Sequence, residues 1–121
     1  MDKEQALHSF WSQFGVPAYD LNTVPDSAPL PRITYQSAVD NIDHPTMVSA
    51  SVWDRGTSWK VVSDILRLIE SAVGRGGQTI RTDSGLLWVK RATPFAQRIP
   101  DTDDSIRRIA INIEIEYLTE V

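Results

Sequence analysis

The chain has 121 residues, a length typical of one domain, with 12 basic and 16 acidic side chains and a formal net charge of −4. It contains no cysteine, which excludes disulfides, thiolate metal sites and cysteine nucleophiles, and its acidic balance argues against a free-standing DNA-binding domain. No apolar run approaches the ~20 residues that a membrane helix needs, so we expect a soluble, non-secreted single domain over residues 1–121.

The N-terminal segment is predicted to be a helix from about Asp2 to Phe14. Asp2 is a plausible N-cap, and Gln5 three positions later completes a capping-box pattern. Apolar residues recur at three- and four-residue spacing, which forms one stripe that we expect to cover the core: Ala6, Leu7, Phe10, Trp11 and Phe14. Gly15 and Pro17 favour a stop at that point.

The next segment, Val16 to Pro31, is predicted to be irregular because its four prolines fix φ and remove hydrogen-bond donors. A loop of this length in a compact domain is usually either functional or disordered. We therefore treat it as a candidate arm that contacts another subunit or the structure on which the protein assembles, with Pro25 and Pro29 as its candidate contacts. The alternative is an ordered surface loop between helix and sheet.

Two strands, Arg32 to Val39 and Thr46 to Asp54, are predicted to pair as an antiparallel hairpin, joined by the turn-rich connection from Asp40 to Pro45. A second helix is predicted from Thr57 or Ser58 to Val73. Its apolar stripe should lie across the sheet: Trp59, Val62, Leu66, Ile69 and Val73. The glycines of 74–77 should end it.

Three further strands are predicted: Gln78 to Thr82, Leu86 to Ala92 and, after a loop from Thr93 to Ser105, Ile106 to Val121. The last strand alternates between an apolar and a polar parity, and the apolar parity comprises Ile109, Ile111, Ile113, Ile115 and Tyr117. The sequence predicts an α+β fold in the order α-β-β-α-β-β-β. It has an antiparallel sheet of about four to five strands, with two helices packed on one face.

No residue pattern points to catalysis or to a cofactor. His8 and His44 would need Asp40 or Asp43 to make a metal site, and no ligand spacing brings them together, so we expect ordinary surface histidines. Asp101, Asp103 and Asp104 together with Asp83 could suggest a cation site, but they lack the glycine and the distal glutamate of an EF-hand, so we expect a solvated acidic loop. The glycines of 74–77 follow a helix rather than a strand, so they do not fit a phosphate loop, and no G-x-S-x-G elbow is present. We therefore predict a non-enzymatic protein without metal or cofactor.

Charged residues gather near the last strand. Three arginines flank an acidic loop, which makes all six residues candidates for charge-complementary contact with another subunit: Arg98, Asp101, Asp103, Asp104, Arg107 and Arg108. An alternative is a local basic patch that contacts phosphates, formed by Lys90, Arg91 and Arg98.

The order of elements resembles the tail terminator proteins of long-tailed bacteriophages and prophages. The resemblance is carried by the aromatic-bearing first helix, the proline-rich passage into the strand entry Leu30 to Tyr35, the amphipathic helix Ser58 to Val73 and the final alternating strand. It covers nearly the whole chain as a pattern, without a diagnostic fingerprint.

The resemblance implies a ring, usually of six subunits, that caps the tail tube, stops its elongation and joins the tail to the head. The implied partners are other copies of the chain, the major tail tube protein and the head connector or head-closure protein. DNA would pass through the lumen without sequence-specific binding, and the protein would reside in the virion at the head-proximal end of the tail. Two alternatives remain: another neck or head-closure component, and a small ligand-binding α+β domain with convergent ionisable groups in a pocket.

Overall fold

The computed structural model describes residues 1–37 and 45–119. Of these residues, 46% lie in strands and 24% in helices, so the fold is mostly β. In chain order the elements are α1 (Lys3–Ser12), β1 (Ala18–Asp20), a 3-10 turn (Leu21–Thr23), β2 (Arg32–Tyr35), β3 (Thr46–Arg55), α2 (Lys60–Val73), β4 (Gln78–Thr82), β5 (Gly85–Ile99) and β6 (Ile106–Thr119). Neither helix in this described part of the chain has the length and apolarity needed to span a membrane.

The strands form a single six-stranded sheet in the order β1-β2-β3-β6-β5-β4, curled into a half-barrel. The β1–β2 pair is parallel and the other four pairs are antiparallel. The predicted α+β fold, with an antiparallel sheet of four to five strands, is therefore wrong. The sheet is larger, mixed and strongly curved, and it dominates the molecule.

The unpredicted strand β1 lies inside the proline-rich segment. Its three residues pair with β2 in parallel register, and the Ile33 N–H donates to the Pro17 carbonyl at 2.9 Å just before it. The chain between the two strands, which includes the 3-10 turn, acts as the crossover that a parallel pair requires. A strand of only three residues shows no readable alternation of apolar and polar side chains. The prolines on either side of it also favoured the prediction of irregular structure, and the strand was therefore missed.

The other error concerns the predicted loop from Thr93 to Ser105, because β5 continues to Ile99. The register with β6 shifts between Arg91 and Ala96, so the intervening four residues of β5 lie opposite the single residue Asn112. The Asn112 side-chain amide donates to the Pro94 carbonyl at 2.9 Å, which ties the bulge down. Proline cannot donate a hydrogen bond within a sheet, but it is tolerated at a bulge, so β5 continues past Pro94.

The concave face of the sheet holds the core. The predicted apolar parity of β6 is buried throughout, with Ile111 and Ile113 fully so. The direct cross-strand neighbours of β6 on this face are also buried, and they include Val48, Ala50 and Val52 from β3 and Leu87 and Val89 from β5. The sheet thus presents one continuous apolar surface to the helices.

Both helices complete this core. The predicted capping box of α1 is confirmed: the Gln5 N–H donates to the Asp2 carboxylate at 2.8 Å and the Gln5 side chain accepts from the Asp2 N–H at 3.0 Å. The predicted stripe of α1 is buried, and α1 contacts both edge strands, β1 and β4. Helix α2 packs on β3, β5 and β6. The sheet therefore curls around α1, which fills the space between its two edges.

Several element limits differ from the prediction. Helix α2 begins at Lys60, whose N–H donates to the Ser58 hydroxyl at 3.1 Å. Strand β2 ends at Tyr35. Residues 36–37 of the predicted strand are described but are not in a strand. Its last residues, 38–39, and most of its connection, residues 40–44, lie outside the described residues, as do residues 120–121 at the end of the last predicted strand.

Candidate interaction surface

The convex face of the sheet carries the second parity of each strand and is not packed against a helix of the described residues. Its upper part is centred on Lys90, whose ammonium lies 3.2 Å from the Glu114 carboxylate, 3.4 Å from the Glu116 carboxylate and 4.2 Å from the centre of the Trp88 ring. Burial acts to lower the pKa of Lys90, but the two carboxylates outweigh it and the pKa is raised. Two carboxylates share one ammonium, so this part of the face has a net charge of −1.

The lower part of the convex face is a cluster of tryptophan, arginine and hydroxyl side chains. The Trp53 indole N–H donates to the Thr34 hydroxyl at 2.9 Å, and Nε of Arg108 donates to the Ser51 hydroxyl at 3.0 Å. The Arg108 guanidinium lies 4.6 Å from the centre of the Trp53 ring, within the range of a cation–π contact. The two hydroxyl residues are buried, so the cluster fixes the orientation of Arg108 on the face.

A second aromatic–arginine group lies at the same end of the sheet but on its concave side. The Arg98 guanidinium lies 4.6 Å and the Arg107 guanidinium 5.4 Å from the centre of the Trp59 ring. Arg107 also donates to the carbonyls of Asp104 at 2.6 Å and Thr57 at 3.1 Å. Arg107 therefore holds the β5–β6 loop against the start of α2, whereas Arg98 is bound through its ring contact.

The acidic β5–β6 loop is held by its own hydrogen bonds. The Asp103 carboxylate accepts from the Ser105 N–H at 2.9 Å and from the Ser105 hydroxyl at 2.7 Å, and Arg55 lies 3.5 Å away. These hydrogen bonds, followed by the Arg55 charge, lower the pKa of Asp103. The Asp101 carboxylate accepts from the Asp103 N–H at 2.9 Å. The aspartates thus order the loop that the arginines surround.

The proline candidates lie at the same end of the molecule. Pro25 and Pro29 are exposed, the Pro25 carbonyl accepts from the Ala28 N–H at 3.0 Å, and the Ala28 carbonyl accepts from Arg32 at 3.0 Å. Arg32 pairs with Trp53, which in turn pairs with Arg108. We call this end of the sheet the arginine rim, and its members are Arg32, Arg55, Arg98, Arg107 and Arg108.

The structure therefore brings the predicted contact residues to one end of the sheet but divides them between two sides. Arg98 and Arg107 lie on the concave side with Trp59, and Arg108 lies on the convex side with Trp53. Strand parity explains the division, because neighbouring residues of a strand point to opposite faces.

The alternative phosphate patch is not assembled. Lys90 is held by two glutamates on the convex face, whereas Arg91 has the opposite parity and donates to the Glu70 carbonyl at 3.2 Å. Arg98 lies beyond the bulge, on Trp59. The three cations are thus separated by the sheet and by the irregularity in β5.

Asp83 does not come together with the acidic residues Asp101, Asp103 and Asp104 to form a cation site. Asp83 lies at the opposite end of the sheet from the acidic loop, with its carboxylate 2.7 Å from the N-terminal ammonium of Met1. Across residues 1–37 and 45–119, no group of three His, Asp or Glu side chains is placed to hold a metal ion. His44, Asp40 and Asp43 fall outside that range.

The sequence did not predict the polar group formed by His8, Ser12 and Tyr35. His8 Nδ1 lies 3.0 Å from the Tyr35 hydroxyl and Nε2 lies 3.2 Å from the Ser12 hydroxyl. The group borders an open groove of about 460 Å³ whose lining includes Glu4 and Asp20. Burial, followed by the charges of Asp20 and Glu4, raises the pKa of Tyr35. The i, i+4 spacing of His8 and Ser12 was the available signal, but their partner comes from a distant strand.

No protein-family model matches the chain, and no curated protein is significantly similar to it. The functional interpretation therefore has two supports, the geometry of the convex face and rim, and the resemblance in the order of elements.

Proposed function

We propose that this protein is a phage tail terminator, a non-enzymatic subunit of a ring that caps the tail tube and provides the surface for head joining. The observation that carries the proposal is the one-sided sheet. Two helices fill its concave face, while its convex face exposes Met47 and leaves Trp53 and Trp88 half-buried among ion pairs and hydroxyls. Exposed apolar side chains rimmed by polar groups are typical of a surface that another protein covers.

The arginine rim supports a second contact, as a tail terminator must bind both its own copies and other virion proteins. Arg98 and Arg108 are each stacked on a tryptophan, which orders the side chain before binding. Arginine and tryptophan are the residues most enriched at the energetic centres of protein interfaces. The acidic loop beside them supplies the opposite charge, so the rim suits a protein partner with mixed charge, such as a tube subunit or head connector.

The order of elements also supports the proposal, although the sheet is larger than the sequence predicted. The first aromatic helix, the amphipathic helix α2 and the final strand β6 have the succession that the resemblance requires. In this proposal DNA passes through the lumen of the ring without sequence-specific binding, since the net charge of the chain is −4.

The test is deletion of the gene from the phage that encodes the protein, followed by electron microscopy of the lysate. We expect tail tubes of variable, excessive length that lack heads, and we expect a plasmid copy to restore uniform, joined tails. Tubes of normal length with heads attached would contradict the proposal. Antibody label on head connectors rather than tube ends would instead favour the other neck and head-closure proteins.

A second candidate function, a small ligand-binding domain, is favoured by one observation. The open groove beside Tyr35 gathers the ionisable side chains of Glu4, His8 and Asp20. Native mass spectrometry of the purified protein tests this candidate, because a bound metabolite adds a defined mass. A His8→Ala variant that loses this added mass would support it, whereas protein of the bare chain mass would count against it.

A further inference from the structure

Helix α2 has an exposed ridge on the side that faces away from the sheet. Val61 and Leu68 are 41% and 53% exposed and lie seven residues apart, which places them on one side of the helix. Between them the Asp64 carboxylate lies 2.7 Å from Lys60 and 3.0 Å from Arg67. Two cations share one carboxylate, so this group has a net charge of +1. We call these five residues the α2 ridge.

The opposite side of the molecule carries a patch of matching character. Met47 is 63% exposed and lies directly opposite Glu114 on the convex face. Glu114 and Glu116 share the ammonium of Lys90, so this group has a net charge of −1. Met47 also borders a groove of about 360 Å³ together with the 52% exposed Leu21. We call Leu21, Met47, Lys90, Glu114 and Glu116 the sheet patch.

We propose that the α2 ridge of one copy docks on the sheet patch of the next copy. The inference rests on the proposed function, since it names the contact that would join the subunits of the ring. Exposed apolar side chains occupy both surfaces, and the charges beside them have opposite sign. Complementary charges of this kind fix the partner and the register of an interface.

The position of the two surfaces determines the type of contact. Helix α2 packs on the concave face, so its outward ridge and the convex sheet patch lie on opposite sides of the subunit. Such a contact is heterologous: each copy uses its ridge for one neighbour and its patch for the other. The neighbour's helix would also give the sheet the second covering layer that its own chain does not provide among the described residues.

The inference is tested by disabling one surface at a time. Leu68→Glu changes the ridge and Met47→Glu changes the patch; both residues are exposed, so the fold should persist, as circular dichroism can verify. In native mass spectrometry we expect wild-type protein to form rings and each variant to lose them by about tenfold or more. An equimolar mixture should form 1:1 dimers and nothing larger, because one intact ridge meets one intact patch. Ser84→Glu, in an exposed turn away from both surfaces, is the matched control and should assemble like wild type.

A second measurement detects the contact even when assembly is weak. The chain has no cysteine, so Leu68→Cys and Met47→Cys each introduce a unique thiol. With a short bis-maleimide, a mixture of these two variants should give a covalent dimer, whereas Leu68→Cys mixed with Ser84→Cys should not. Equal yields in the two mixtures would overturn the inference.

The outcomes separate this inference from the proposed function. Rings that persist in both glutamate variants overturn the ridge-to-patch contact and leave the tail terminator proposal in place. Normal tails in the deletion phage overturn the terminator proposal, whatever the cross-linking gives. Cross-linking specific to residues 47 and 68 in such a protein would show self-association of another kind.

Discussion

The two faces of the sheet are made from the same strands but have different chemistry. On β6, Ile111 and Ile113 of the concave parity are fully buried, whereas Asn112 and Glu114 of the convex parity are partly exposed. The concave face is held by apolar contact with two helices, and the convex face by hydrogen bonds and ion pairs between neighbouring strands. Stability therefore resides on one side of the sheet, and the other side is left available for binding.

The packing of the helices on the concave face also covers the edge strands of the sheet. An exposed sheet edge is a template for pairing with another chain. Here α1 contacts both edges, and the residues that flank it bind β4 and the turn after it: the Asp83 N–H donates to the Met1 carbonyl at 2.7 Å, and Gln13 donates to Gln78 at 3.0 Å. The curvature thus draws both edges towards one helix, and the broad convex face becomes the main surface offered to partners.

The largest expected loss of stability comes from a substitution on the concave side of the sheet. Ile113→Ala removes a fully buried side chain in a central strand, so we expect unfolding free energy to fall by about 2–5 kcal/mol. Met47→Ala, on the other face and 63% exposed, should change it by no more than about 0.5 kcal/mol. Urea denaturation followed by tryptophan fluorescence measures both. Similar losses for the two variants would contradict the division between the faces.

A second prediction concerns alkaline pH and Tyr117, which is 3% exposed on the concave face. Burial, followed by the Glu4 charge, raises the pKa of Tyr117 from 10.0 to about 12. The unfolded chain therefore loses this proton first, and the stabilisation present below pH 10 is lost as the pH rises towards 12. Roughly 2–3 kcal/mol of unfolding free energy should disappear over this range, and Tyr117→Phe should remove that part of the decline.

The same substitution gives a contrast at pH 7. The Tyr117 hydroxyl is buried without a hydrogen-bond partner in the described residues, so Tyr117→Phe should be neutral or slightly stabilising. Tyr35→Phe is the matched control, because it removes the hydroxyl that lies 3.0 Å from His8, and it should cost about 0.5–1.5 kcal/mol. Thermal and urea unfolding at pH 7 measure both variants. A larger loss for Tyr117→Phe than for Tyr35→Phe would be the opposite of this expectation.

A third prediction tests the close packing at the β4–β5 turn. A Cβ on Gly85 would collide with the Leu118 carbonyl of β6, so Gly85→Ala should cost about 1–3 kcal/mol. Gly76 has no atom within 4 Å of such a Cβ and does not have a positive φ, so Gly76→Ala should be neutral or stabilising by up to about 1 kcal/mol. The midpoints of urea denaturation compare the pair. Equal midpoints would show that the end of β6 moves aside without cost.

The parts of the fold that the sequence predicted well are those with a repeated pattern. The apolar parity of residues 109–117 and the stripe of α1 are long enough for their period to be read, and both are buried as expected. Strand β1 and the continuation of β5 were missed because their signal is not periodic. A three-residue strand has no period. Strand β5 continues past Pro94 through a bulge that accepts a hydrogen bond from Asn112 on β6, and this contact between distant residues is not visible in the sequence.

The candidate surface was predicted less completely, because it depends on contacts between distant segments. Charge alone identified Arg98, Arg107 and Arg108, but their division between two sides of the sheet required the register of β6. Met47 and Leu68 carry no charge and belong to no motif. Their exposure, 63% and 53%, became evident only once the opposite parity and the opposite helix side were shown to be buried.

The smallest expected effect concerns the acidic loop at the arginine rim. Hydrogen bonds from the Ser105 hydroxyl and N–H, then the charge of Arg55, lower the pKa of Asp103 below its usual value of 3.8. This contribution to folding is present above the unfolded pKa and is lost as the pH falls through the folded pKa. Carboxyl carbon NMR should therefore show that Asp103 titrates below 3.8.

Ser105→Ala removes the larger of these contacts, so the pKa of Asp103 should rise towards 3.8, whereas Arg55→Gln should raise it less. Both side chains of the Arg55–Asp103 pair are more than half exposed, at 60% and 51%, so water and salt screen the ion pair. The ion pair should therefore lower the pKa of Asp103 less than the hydrogen bonds from Ser105 do. The effect of Arg55→Gln should shrink further in high salt, and the effect of Ser105→Ala should not. If Arg55→Gln moved the pKa more than Ser105→Ala, the loop would be held by Arg55 of the rim rather than by its own hydrogen bonds.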